Sequence, residues 1–142
     1  MSNAAQSAPQ FRWPVRVYWE DTDAGGIVFY ANYLKFFERA RTEWLRALGV
    51  AQQALREQTG GIFVVSQTDV RYQRPARLDD QLFVTVCLVE TGRASLTIRQ
   101  QVLLHTAAQD TVLCEGIIRV GWVDAITFTP TRFPSILLDL LR

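Results

Sequence analysis

The residues best suited to chemistry crowd into one short run, Glu20-Asp21-Thr22-Asp23-Ala24-Gly25-Gly26. Three carboxylates in four residues, followed by paired glycines, describe a backbone that turns sharply where a side chain would obstruct it, since glycine reaches positive φ cheaply. Carboxylates at such a turn can serve as acid, base or nucleophile. They can equally do no more than bond their own turn, a common habit of Asp. The next residues favour chemistry. From Asn32, the expected N-cap, the apolar positions Tyr33, Phe37, Ala40, Trp44 and Leu48 recur at steps of four and three, one face of a helix. Lys35, Arg39, Thr42 and Arg46 fall elsewhere on it. A carboxylate therefore stands just before a helix N-terminus, where free N–H groups and the macrodipole favour developing negative charge. Acid or base beside oxyanion donors is an active-site geometry.

The elements that must position this junction can be read in order. Phe11 to Trp19 alternates as a first strand. The acidic turn and the long helix come next, with Gly49 as its C-cap. Val50 to Gln58 predicts a short second helix closed by Gly60-Gly61. The period then changes to two: Ile62 to Gln73, Gln81 to Glu90, Ala94 to His105 and Thr111 to Val123 read as strands, the last three a meander. Asp124 to Phe133 is irregular, and Pro134-Ser135 can start a last short helix. These elements predict an α+β layer in which an antiparallel sheet of about five strands packs on one amphipathic helix. Adjacent Phe36 and Phe37 place aromatics on more than one side of that helix, so the sheet is expected to wrap it as a buried central element. Helix charges Glu38, Arg39, Arg41 and Glu43 are expected to pair along the helix. Glu20 and Asp21 are expected in solvent or bonded to Arg12 or Arg16.

Composition bounds the rest. A chain of 142 residues suits one domain, here 11–142 after a disordered lead-in at 1–10. Fifteen Lys+Arg against 14 Asp+Glu give a net charge of +1, which excludes a global pull towards nucleic acid. No apolar run approaches the ~20 residues of a membrane span. Cys87 and Cys114 fall inside strands, where free thiols pack as small hydrophobes, and this fits a reducing cytoplasm.

The run Asp21-Thr22-Asp23-Ala24-Gly25-Gly26-Ile27-Val28-Phe29-Tyr30-Ala31-Asn32-Tyr33, with Phe37-Glu38-Arg39-Ala40-Arg41-Thr42-Glu43 and Pro75-Ala76-Arg77-Leu78-Asp79-Asp80, resembles the signature of hotdog-fold acyl-CoA thioesterases of the YbgC and 4-hydroxybenzoyl-CoA type. The resemblance runs from about Phe11 to Pro134. It implies a hotdog fold, homodimers or homotetramers with active sites at the dimer interface, and coenzyme A thioesters as substrates with no further cofactor. It implies that Asp23 is the catalytic carboxylate, as nucleophile or general base, and that the backbone N–H of Tyr30 is an oxyanion donor. Ile27 and Val28 are implied to line the substrate site, and Arg93 to meet the coenzyme A phosphates. Close relatives carry histidine at the position of Tyr30, whereas the one histidine here, His105, lies in a late strand. An acyl carrier protein is the alternative carrier. The alternative function is a non-catalytic adaptor at the cell envelope that binds acyl-CoA or acyl carrier protein.

Overall fold

The computed structural model describes residues 10–142, so the expected lead-in at 1–10 lies, apart from Gln10, outside the described residues. The element order is β1 (Phe11–Arg16), a 3-10 turn (Trp19–Asp21), α1 (Asn32–Ala47), α2 (Gln52–Thr59), β2 (Gly61–Tyr72), β3 (Gln81–Thr91), β4 (Ser95–His105), β5 (Asp110–Asp124) and α3 (Ser135–Leu141). All strand pairs are antiparallel in the order β1-β3-β4-β5-β2, with the expected meander β3-β4-β5 in the middle.

Boundaries differ from the sequence reading where side chains capture backbone groups. β1 stops at Arg16 rather than Trp19, because the Asp21 carboxylate accepts the Tyr18 N–H at 2.8 Å and the Asp21 N–H donates to the Tyr18 carbonyl at 3.0 Å. These bonds close a turn that no strand can continue. Asp21 is buried, which corrects its expected place in solvent, and neither predicted arginine reaches it: Arg12 pairs with Asp110, and Arg16 donates to the Asp79 carbonyl. The N-cap of α1 is Ala31, not Asn32. Asn32 is the first helical residue, and its amide donates to the Asp21 carbonyl at 2.9 Å, tying the helix to the acidic turn. At the other end Gly49, at φ +94°, donates to Arg46 and Val50 donates to Leu45, the paired bonds that cap a helix through a left-handed residue.

The core lies between α1 and the sheet. Alternate residues Leu82, Val84 and Val86 of β3, Leu96, Ile98 and Val102 of β4, and Ile118, Val120 and Trp122 of β5 are buried, as the two-residue period requires. Against them α1 buries Tyr33, Phe36, Phe37, Ala40, Trp44 and Leu45. Phe36 and Phe37 are adjacent yet both fully buried, so α1 hides more than one stripe, each ring contributing about 2–3 kcal/mol by burial. Two shorter helices accompany it, and α3 closes the core with Leu137 and Leu141. Gln100, fully buried on β4, donates to the carbonyls of Phe37 and Thr85 and accepts from Arg41 at 3.0 Å. Arg41 is thereby drawn inward, which corrects its expected pairing along the helix. Glu43 does pair with Arg46 at 2.7 Å. Both cysteines are free and buried. Among the described residues no helix is long and apolar enough to cross a membrane.

Candidate active site

The acidic turn folds into a small clamp. The Asp23 N–H donates to the Ile27 carbonyl at 2.9 Å, and the Gly26 N–H returns to the Asp23 carbonyl at 3.0 Å. Gly26 stands at φ +78°, which is why glycine suits the position. The Val28 N–H donates to Ala76 and the Phe29 N–H to Asp21, so the segment before the helix is stitched both to its own start and to the 75–80 loop. Ile27 bridges Arg77 on the same loop. A second bond holds that loop to α1: the Ala76 N–H donates to the Tyr33 hydroxyl at 3.0 Å.

Asp23 itself is exposed, and its Oδ1 accepts the Gly25 N–H at 2.8 Å. The turn-bonding role is therefore real for one oxygen, while Oδ2 accepts no hydrogen bond among the described residues. A Cβ at Gly25 would stand 3.2 Å from the Asp23 carboxylate, so a side chain there would crowd it.

Ile27, Val28 and Tyr30 share a cleft of about 260 Å³ with Tyr33, Tyr72 and Arg74. Its walls are mainly apolar and aromatic. Tyr72 meets Tyr30 edge-on with ring centres 6.2 Å apart and Tyr33 at 5.5 Å, and its hydroxyl donates to the Tyr30 carbonyl at 3.1 Å. The Tyr30 N–H, just ahead of the Ala31 N-cap, has no acceptor among the described residues. Burial raises the phenols of Tyr33 and Tyr72, and it pushes the Cys114 thiol up to about 12. All three are thus neutral at pH 7, and the charge of Asp80 on the facing loop adds to the rise at Tyr33.

Sequence reasoning named Tyr33 only as a core residue and missed Tyr72. Neither the bond from Tyr72 to Tyr30 nor the one from Ala76 to Tyr33 has a local sequence signal, because the partners lie 42 and 43 residues apart. His105 is exposed at the end of β4, its Nδ1 2.9 Å from Asp110.

Arg93 does not join this group. It lies at the β3–β4 hairpin beside Arg132 and Arg142, around a shallow depression of about 620 Å³. The Phe133 N–H donates to the Arg93 carbonyl at 2.9 Å, which brings the tail arginines there. Arg142 also lies 3.6 Å from Asp139. The acidic turn packs where β3 begins, at Gln81, and Arg93 comes after its end at Thr91. At about 3.3 Å per residue the two stand roughly 30 Å apart.

Comparison with known proteins identifies the family. The thioesterase-like superfamily model matches residues 17–141. The acyl-CoA thioester hydrolase YbgC of Escherichia coli O6:H1 is 44% identical over 125 residues, covering 88% of this chain and 90% of the relative. The acyl-CoA thioesterase YbgC of Haemophilus influenzae is 43% identical, covering 88% and 89%. Among solved structures, a probable thioesterase from Bartonella henselae superposes with a TM-score of 0.80 at 29% identity, covering 89% of this chain and all of that one. A 4-hydroxybenzoyl CoA thioesterase mutant complexed with 4-hydroxybenzoyl CoA superposes with a TM-score of 0.87 at 18% identity, covering 94% and 99%, a likeness of fold alone. With a stitched carboxylate turn at a helix start and a family match spanning nearly its whole length, the chain belongs to the thioesterase-like superfamily.

Proposed function

We propose that this protein is an acyl-CoA thioesterase in which Asp23 is the catalytic carboxylate. The observation that carries the reading is the junction itself: a carboxylate with one unbonded oxygen and an unpartnered Tyr30 N–H on one hydrogen-bonded segment, whose Ile27, Val28 and Tyr30, though not Asp23, line an apolar cleft. Asp23 attacks the thioester carbonyl to give an acyl-aspartyl anhydride and the coenzyme A thiolate, or it takes a proton from a water that attacks instead. Either route places negative charge on the carbonyl oxygen. The Tyr30 N–H and the α1 dipole stabilise that charge, a contribution worth about 3–4 kcal/mol for one well-placed donor. Ile27, Val28 and Tyr72 line the acyl group. No further cofactor is required by this chemistry.

The 44% identity to YbgC supports the acyl-CoA substrate class, and Arg93 with Arg132 and Arg142 supplies cations for its phosphates. The sheet wrapping α1 as a hotdog, a single domain over 11–142, a cytoplasmic location and a homodimer or homotetramer belong to the same reading. An acyl carrier protein is the alternative carrier. The test is thiol release from short, long and aromatic acyl-CoAs by wild type and Asp23→Asn. Wild type turns over, and the variant, folded by circular dichroism, loses at least about two orders of magnitude in kcat. Equal rates would return Asp23 to the turn, and no turnover by wild type would leave the envelope adaptor as the better reading.

A further inference from the structure

The turn that leads into α1 bonds its peptide units within its own segment, with one exception. The Phe29 N–H donates to the Asp21 carbonyl at 3.0 Å, and the Phe29 carbonyl accepts the Asn32 N–H at 2.8 Å. The Ala31 carbonyl accepts the Leu34 N–H at 3.2 Å. Between them stands the Tyr30–Ala31 unit, to which no backbone group bonds among the described residues. Its carbonyl is held instead by the Tyr72 hydroxyl at 3.1 Å, from 42 residues away. Its N–H, that of Ala31, has no acceptor among the described residues. Free N–H groups belong to any helix start. What is particular to this one is a phenol brought from the end of β2 to fix the unit that carries one of them.

That phenol is itself held firmly. Tyr72 is the last residue of β2 and pairs with Cys114 of β5, and the next two N–H groups, of Gln73 and Arg74, both donate to the Leu113 carbonyl at 2.8 and 3.0 Å. Its ring meets those of Tyr30 and Tyr33 edge-on. Burial first, then the neighbouring Cys114 and Tyr30, raise the phenol, so it keeps its proton at pH 7 and donates. A peptide unit is planar, and fixing its carbonyl fixes the direction of its N–H. In the trans form the N–H points away from the C=O, so the phenol leaves it uncovered. A donor on the carbonyl also polarises the amide and strengthens its N–H as a donor in turn. Ala31 has φ −71° and ψ −19° in a four-residue turn closed from Asn32 to Phe29, the form in which both central residues are helical. The N–H groups of Tyr30 and Ala31 therefore face the same way, as at the start of a helix.

We infer that the Tyr72 hydroxyl fixes and polarises the Tyr30–Ala31 peptide unit so that the Ala31 N–H joins the Tyr30 N–H in holding the thioester oxyanion, which makes Tyr72 a positioning residue for the reaction. The role rests on the thioesterase function proposed for this chain, and the test separates the two. Tyr72→Phe removes the hydroxyl and keeps the ring. It lowers kcat about tenfold with KM within about twofold, and by the same factor for acetyl, long-chain and aromatic acyl-CoAs, because the oxyanion is common to all of them. A residue that only walled the cleft would move KM, and differently for each acyl group. Unchanged kcat in an otherwise active pair, or a loss confined to one acyl class, overturns the role of Tyr72 and leaves the thioesterase function standing. No turnover by wild type overturns both. A second measurement needs no turnover. With alanine-selective isotope labelling, the Ala31 amide proton of Tyr72→Phe moves upfield while those of Ala24, Ala40 and Ala47 stay in place. An unmoved Ala31 signal overturns the proposal even where kcat has fallen, since the loss then arises elsewhere.

Discussion

Tyr33 shows how much of the candidate site rests on single atoms. Its hydroxyl is the acceptor for the Ala76 N–H, Ala76 is fully buried, and the Ala76 carbonyl in turn holds the Val28 N–H. Tyr33→Phe leaves a buried donor without a partner, a cost of about 1–3 kcal/mol. The expected result is a melting temperature lower by several degrees, with kcat falling more than KM rises because Val28 is positioned through this loop. Thermal denaturation and steady-state kinetics check both. Cys114 makes a pH prediction. Its pKa is about 12 in the folded protein against an ordinary 9.0, so below about pH 9 both states are protonated and the thiol has no effect on pH dependence. Above it the unfolded chain loses the proton and the folded chain keeps it. Stability therefore falls as pH climbs from about 9 towards 12, at up to about 1.4 kcal/mol per pH unit. Urea midpoints measured between pH 8 and 10.5 should fall more steeply in wild type than in Cys114→Ala, which retains only the tyrosine contribution.

At the scale of elements, α1 and the sheet meet so closely that glycine is required where they touch. A Cβ at Gly116 of β5 would stand 2.9 Å from the Phe37 ring, whereas one at Gly121 on the same strand would meet nothing nearer than 3.7 Å. Gly116→Ala should cost about 1–3 kcal/mol through overpacking, and Gly121→Ala should fall within about 0.5 kcal/mol of wild type. Chemical denaturation of the pair checks the contrast. Because Phe37 lies one turn into α1, the first variant should also lower kcat, and the second should not. The elements themselves were legible from periodicity: five strands and three helices stand within a few residues of where the apolar pattern puts them. The misplacements all occur where a side chain binds backbone or a buried amide. Asp21 ends β1 early, and Asn32 bonds Asp21 instead of capping α1. Gln100 draws Arg41 away from the helix surface. Such bonds obey no period, so a pattern of apolar residues does not report them.

Across the whole molecule the informative fact is separation. The carboxylate turn and the three-arginine depression occupy opposite ends of β3. Arg93→Glu combined with Arg132→Glu should raise KM for acyl-CoA about tenfold or more, the equivalent of one charge-assisted contact. Hydrolysis of the corresponding acyl-pantetheine, which lacks the nucleotide phosphates, should be unchanged. Equal losses on both substrates would remove the arginines from phosphate binding.

By itself the sequence determined the fold class, the order of elements and the acidic turn ahead of the long helix, because alternation, helical spacing and glycine after carboxylates are local properties that a chain carries before it folds. It also carried the resemblance that places Asp23 and Tyr30 at that turn. Only the tertiary structure decided that Tyr72 pins Tyr30, that Tyr33 anchors the facing loop, and that Arg93 stands with Arg132 and Arg142 far from the acidic turn. Each of those depends on which strands pair and in what register, a balance of packing summed over the whole sheet that no short stretch of residues contains.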